Sequence, residues 1–275
     1  MGCDKVAPEC AHCYIDRAMI KLGREPWGSI YRTSEGLWKN PAKWEKRAAA
    51  RGKSLRIFTC SESDFFHDKA DRWRDEAWAV IRNTPHLTYQ ILTKRPGRIP
   101  LRLPADWGTG YPNCWLGVTA GCKTSLRLMD LLRDVPAIVR FASAEPLLED
   151  VSQGMNLEGF HWLISGGESG PGPEYIWPGT KWQDEQPKGR RTMRLEWARN
   201  LQEKCQETGV VFYFKQVTAF RSGQRADALG RLHHDYPAGP FPWYAENELN
   251  ADFRKTGNTA ATREESDVQL VFELE

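Results

Sequence analysis

Six short apolar runs recur along the 275-residue chain, and helix-period stripes separate several of them. This alternation constrains the fold more than any other feature. The runs are Leu55 to Cys60 (LRIFTC), Thr88 to Thr93 (TYQILT), Cys114 to Thr119 (CWLGVT), Ile138 to Ser143 (IVRFAS), Trp162 to Ser165 (WLIS) and Val210 to Phe214 (VVFYF). β-Branched and aromatic residues dominate several of them, as in parallel strands buried on both faces. Helical spacing appears at Ile15, Met19 and Leu22, and again at Trp73, Ala77, Val80 and Ile81. A third stripe holds Leu128, Leu131, Leu132 and Val135, with Thr124 as its expected N-cap; a fourth holds Leu195, Ala198, Leu201 and Cys205, closed by Gly209. Strands alternating with helices imply crossovers and a parallel sheet. The expected fold class is therefore α/β, an open or closed barrel of β-α units with parallel strands. A doubly wound open sheet is the alternative.

Two segments break the rhythm. Residues 170–191 are rich in Gly, Pro and charge and read as a long loop or lid. From about residue 219 the chain turns polar and ends acidic. The expected organisation is a barrel over 1–218 with a polar C-terminal appendage over 219–275. Hydrophobic residues at 40% and charged residues at 27% describe a globular chain. Basic residues exceed acidic ones by only two, 38 against 36, so no global field announces a nucleic-acid binder. No apolar stretch of about 20 residues predicts a membrane span, and the start lacks an apolar signal core, so a cytoplasmic location is expected. Twelve tryptophans are many; packing is the plainer reading, stacking platforms for a base or sugar the sharper one.

Polar residues gather where the expected strands end. Ser61, Glu62, Ser63 and Asp64 follow the first run, Lys94 and Arg95 the second, and Glu145 the fourth. Gly166, Gly167, Glu168 and Ser169 follow the fifth, and Lys215 and Gln216 the sixth. In parallel α/β folds these ends share one face, so the groups converge on one mouth. Any single one is an ordinary loop residue; five such junctions together point to an active site. The SGGESG stretch lacks phosphate-loop spacing.

Seven cysteines, an odd number, argue against a disulfide framework, and three of them, Cys3, Cys10 and Cys13, crowd into MGCDKVAPECAHCY. Three chemistries compete for them. A structural zinc would need a fourth ligand, and His12 between two cysteines is strained for that role. A redox pair at Cys10 and Cys13, ahead of a helix, leaves Cys3 without a task. A [4Fe-4S] cluster held by three thiolates leaves one iron open, able to chelate S-adenosylmethionine (SAM).

The chain resembles a phage- and bacteria-encoded three-cysteine family of unknown function that is regarded as radical-SAM-like. The resemblance extends to about Val217 and rests on GCDKVAPECAHCY, SESDFFHD, QILTKRPGRIP, NCWLGVTA, VRFASAEPLLEDV, WLISGGESGPG and GVVFYFKQV. It implies a partial TIM barrel, a [4Fe-4S] cluster on Cys3, Cys10 and Cys13, and SAM cleaved to a 5'-deoxyadenosyl radical. Cofactor contacts are implied for His12, beside the adenine, and for Tyr14. Ser61, Ser63 and Asp64 are implied to meet the SAM amino group, with Ser63 and Asp64 preferred, and Lys94 or Arg95 its carboxylate. Glu145, Glu168, Lys215 and Gln216 are then left to face substrate or ribose as catalytic candidates. The spacing is C-x6-C-x2-C rather than the common C-x3-C-x2-C, and only Met1 and Gly2 precede the first cysteine. The expectation is that the first barrel strand is missing or the start site misassigned.

The resemblance also implies a substrate in DNA or a modified nucleotide, such as a hypermodified thymidine undergoing an aminomutase-like rearrangement, and an electron donor for the cluster. If phage-encoded, the chain would work in the host cytoplasm. Basic residues at Lys39, Lys43, Lys46, Arg47, Arg51, Lys53 and Arg56, and from Lys188 to Arg194, interleave with Trp38, Trp44 and Trp182. A solvated helix face accounts for them equally well. The alternative function is a non-catalytic, zinc- or cluster-stabilised nucleic-acid-binding or accessory protein. A degenerate barrel serving as a partner subunit is a third. Nothing in the sequence sets the oligomeric state.

Overall fold

The computed structural model of the protein describes residues 1–25, 27–170, 191–219 and 222–237, without the side chains of Asp16 and Arg17. Six strands form one all-parallel sheet that curls into a half-barrel: β1 (Leu55–Thr59), β2 (Leu87–Thr93), β3 (Cys114–Thr119), β4 (Val139–Ala144), β5 (Trp162–Gly166) and β6 (Val211–Gln216). Their order in the sheet is their order in the chain. Each strand falls within two residues of an apolar run named above, because a strand flanked on both faces by packed layers needs apolar side chains on both.

The helices are few. α1 (Ile15–Lys21), α2 (Glu35–Trp38) and α3 (Asn40–Ala50) precede the sheet; α4 (Arg74–Arg82), α5 (Arg127–Arg133) and α6 (Leu195–Thr208) cross between strands. The β2–β3 and β4–β5 connections contain no α-helix. α6 ends at Gly209 in the left-handed conformation (φ +69°), as the sequence predicts. Two expectations need correction. Thr124 does not cap a helix; Cys122 does, exchanging bonds with Ser125 at the start of a 3-10 turn over Lys123–Ser125. In α4 the buried face is Arg74, Trp78 and Ile81 rather than Trp73 and Val80, since Trp78 inserts among Phe65, Phe66, Trp107 and Tyr111.

Alternation along the strands divides the core. One set of side chains (Leu55, Ile57, Leu87, Ile91, Leu116, Leu163, Phe214) packs outward beneath the helices. The other lines the concave face, where Trp115, Val139, Phe141, Trp162, Ile164 and Tyr213 form an aromatic floor. Gly117 makes that floor possible: a Cβ there would meet the Phe141 ring at 2.2 Å. Several tryptophans are thus explained by packing, with Trp78 and Trp107 outside the sheet and Trp115 and Trp162 inside it. Residues 222–237, the described part of the expected appendage, run back along β6: the Phe214 amide donates to the His233 carbonyl (2.8 Å) and the Trp162 indole to the Asp235 carbonyl (3.0 Å). The expected loop over 171–190, with Trp182 and Lys188, and the chain beyond 237 lie outside the described residues. Among the described residues, no helix is long and apolar enough to cross a membrane.

Candidate active site

At the C-terminal end of the sheet, β1, β2, β4, β5 and β6 line a cavity of about 470 Å³. Cys3, Cys10 and Cys13 line it, together with Cys60 at the end of β1, and none of the four is in a disulfide. Burial pushes the thiols of Cys3 and Cys60 up to about 11 each.

The cysteine loop is held through the residues beside each cysteine. Asp4, next to Cys3, accepts from the Gly28 amide (2.8 Å) and pairs with Nε2 of the fully buried His67 (2.8 Å). Glu9, next to Cys10 and only 4% exposed, accepts from the Gly121 amide (3.1 Å) and the Cys122 thiol (3.4 Å). His12, next to Cys13, pairs through Nδ1 with Glu168 Oε2 (2.9 Å). Glu168 in turn accepts from the backbone amide (2.9 Å) and Nε (3.0 Å) of Arg191, whose Nη1 donates to the Pro8 carbonyl (2.6 Å). Burial pushes the Glu168 carboxyl up, but the hydrogen bonds from Arg191 and His12 outweigh it and hold the group below the usual carboxylate range. Each cysteine is therefore flanked by a side chain bound to the sheet end or to the loops behind it.

The sequence-derived candidates separate into those facing ligand space and those consumed by the frame. Asp64, buried at the mouth, accepts from the amides of Phe66 (2.9 Å) and Lys94 (3.0 Å) and the Thr93 hydroxyl (2.7 Å), so its carboxylate is largely occupied. Arg95 sits behind it, 3.7 Å from Asp4 and 3.9 Å from Asp64, and does not line the cavity. Lys94, Ser61 and Ser63 do line it, and the Tyr14 hydroxyl donates to the Ser61 carbonyl. Glu168 is committed to the Arg191–His12 network. Gln216 is fully buried, donating to the Gly167 carbonyl (2.8 Å) and Glu145 Oε1 (3.3 Å) and accepting from the Gly223 amide (2.8 Å). It positions Glu145. That leaves Glu145 and Lys215, paired at 2.8 Å and partly exposed, as the sequence-derived candidates that face the cavity with the fewest other partners.

Gly167 owes its identity to packing, since a Cβ would lie 2.1 Å from the Thr218 amide. Arg56 belongs to the cavity rather than to a basic surface patch: its guanidinium lies 3.5 Å from the Tyr236 ring centroid. Sequence reading missed Asp4, Glu9 and Gln90 and placed Arg56 and Arg191 only in basic clusters; the charged neighbours of the cysteines were the available signal.

A single zinc ion, with Zn–S near 2.3 Å, would draw its ligand sulfurs to about 4 Å from one another. Among the described residues, the group of three whose donor atoms all lie within 4.8 Å is Asp4, His67 and Asp68, not the cysteines. That triad is closed internally, with both His67 nitrogens engaged by Asp4 (2.8 Å) and Asp68 (2.9 Å).

The chain belongs to the family DUF5131, described as a protein of unknown function, whose family model matches residues 1–267. No curated protein and no solved structure matches it.

Proposed function

We propose that this chain is a radical SAM enzyme, with a [4Fe-4S] cluster on Cys3, Cys10 and Cys13 at the mouth of a partial TIM-type barrel. The carrying observation is that all three cysteines share one cavity with the Glu145–Lys215 pair at the C-terminal ends of parallel strands. That is the face on which such barrels carry out chemistry. The donor set supports a cluster over a single ion: thiolates held apart by separate anchors suit a ligand that presents several iron atoms. The cavity volume also lies in the range of small-molecule sites. When bound, the cluster supplies an electron that cleaves the SAM sulfonium bond and generates a carbon radical able to take hydrogen from substrate.

The chain's own residues do the rest. Asp4, Glu9 and His12 fix the loop that carries the thiolates. Glu168 orients His12 through Nδ1, which directs Nε2 toward a ligand. Lys94 and Lys215 offer ammonium groups to a carboxylate, and Glu145 can accept or return a proton at its carboxylate while Lys215 and Gln216 hold it. The aromatic floor excludes water from below. A DNA base as substrate, with the thymidine rearrangement as its finest form, is carried by the resemblance rather than by the geometry.

The test is anaerobic reconstitution followed by low-temperature EPR, with and without SAM. A reduced-cluster signal that shifts on adding SAM, with 5'-deoxyadenosine released, is expected. Stoichiometric zinc and no labile sulfide would overturn the reading in favour of the non-catalytic binding protein.

A further inference from the structure

Gln90 lies on β2, three residues before its end, about 10 Å below the mouth at 3.3 Å per residue. Its register neighbours are Phe58 on β1 and Trp115 on β3, so an amide is set into an aromatic floor. The side chain lines the cavity, is 7% exposed, and its Nε2 has no hydrogen-bond partner among the described residues. A buried amide nitrogen without a partner is costly, and a leucine or methionine would fill the same volume without that cost. Beside it, Phe58 and Tyr236 are only partly buried and line the same cavity, with Arg56 stacked on Tyr236.

We propose that the barrel floor is a substrate subsite for a planar nitrogen heterocycle, its adjacent donor and acceptor read by the Gln90 carboxamide and its face laid against Phe58 and Tyr236. A carboxamide offers a donor and an acceptor side by side, which matches the edge of a nucleobase-type ring, and aromatic faces accept any such ring by stacking. The depth of Gln90 separates this subsite from a cofactor held at the cysteines. The assignment rests on the reading of this cavity as an active site, and it names the class of substrate.

The experiment uses the full chain. Tryptophan fluorescence is titrated with uridine, cytidine and adenosine, and with 3-methyluridine, 3-methylcytidine and N6,N6-dimethyladenosine, in wild type and Gln90→Leu. At least one parent nucleoside is expected to saturate, its methylated form to bind at least about 10-fold more weakly, and Gln90→Leu to lose both the affinity and the discrimination. Without ligand, Gln90→Leu is expected to melt about 2–6 °C higher, because an unpartnered amide is gone. No saturation by any nucleoside, wild-type binding in the variant, or a lowered melting temperature would overturn the subsite. SAM cleavage is assayed on the same preparations. Cleavage without nucleoside binding fails the subsite alone; nucleoside binding without a cluster fails the radical SAM reading alone.

Discussion

The two walls of the cavity are built on opposite principles. On the cysteine wall the acidic groups are committed: Asp4 to His67 and Gly28, Glu9 to Gly121 and Cys122, Glu168 to His12 and Arg191. On the facing wall Glu145 meets one ammonium and one amide, and on the floor between them Gln90 leaves its Nε2 without a partner among the described residues. A committed carboxylate fixes geometry because moving it breaks several charge-assisted bonds together. A sparsely bonded one can exchange partners with a ligand at little cost. Residue type alone therefore does not mark a catalytic acid: Glu168 and Glu145 both follow strand ends, and their partners commit one to the frame and leave the other open to a ligand.

The sharpest break in this comparison is at the thiolates themselves. Replacing Cys3, Cys10 or Cys13 with alanine is expected to abolish iron incorporation and SAM cleavage, read by iron and sulfide analysis and by 5'-deoxyadenosine release. Cys60→Ala shares the cavity and is expected to keep its iron; loss of iron there would add Cys60 to the ligand set. Next comes the facing wall. Glu145→Gln and Lys215→Met should retain cluster content yet lose substrate turnover by about 10²–10⁴-fold, the usual span for a proton-transferring group. A matching loss of iron would move the pair into the frame.

Cutting the frame should act the other way. Arg191→Ala leaves Glu168 buried against His12 alone, and we expect a loss of about 2–3 kcal/mol of stability, as for a buried charge stripped of its partner. Thermal melting checks it, with weaker iron retention as the companion readout. The double change Glu168→Gln with Arg191→Met should recover part of the loss.

The smallest effect is on the acid limb. Burial pushes Asp71 up, yet the guanidiniums of Arg74, Arg102 and Arg98 hold it below the usual carboxylate range, as Arg191 and His12 do for Glu168. A depressed carboxyl contributes its stability in full above the unfolded-state value and loses it as pH falls through the folded one. Melting temperature should therefore hold near neutrality and decline only on the acid side, less steeply in Asp71→Asn.

Much of the sheet was legible from the sequence because a doubly buried strand must be apolar throughout, and β3, with every residue buried, reads as CWLGVT. The three cysteines and the polar strand ends were legible for the same local reason. The frame was not. Glu9 meets Gly121 across 112 residues and His12 meets Glu168 across 156, and no local pattern announces a pair that only the curled sheet brings together. The stripe expected through Trp73 was displaced to Trp78, because the Phe65 and Trp107 rings pack on the latter. Gln90 lies in the run TYQILT among Thr88, Tyr89 and Thr93, where one more polar side chain carries no local signal.

The long reach of the Arg191–Glu168–His12 latch has a consequence in time. Strands that pair in chain order can assemble as synthesis proceeds, each beside the one just made. The cysteine loop is made before all of them. His67 and Gly121 follow soon enough to hold Asp4 and Glu9, but the last clamps, Glu168 and Arg191, emerge only with the end of β5 and the residues leading into α6. During translation the thiols are therefore present long before their cradle is complete, and on the proposed reading a cluster can be taken up stably only at the last stage of the protein's birth. Nascent chains arrested short of Arg191 should consequently carry no stably bound iron, while chains arrested beyond β6 should acquire it.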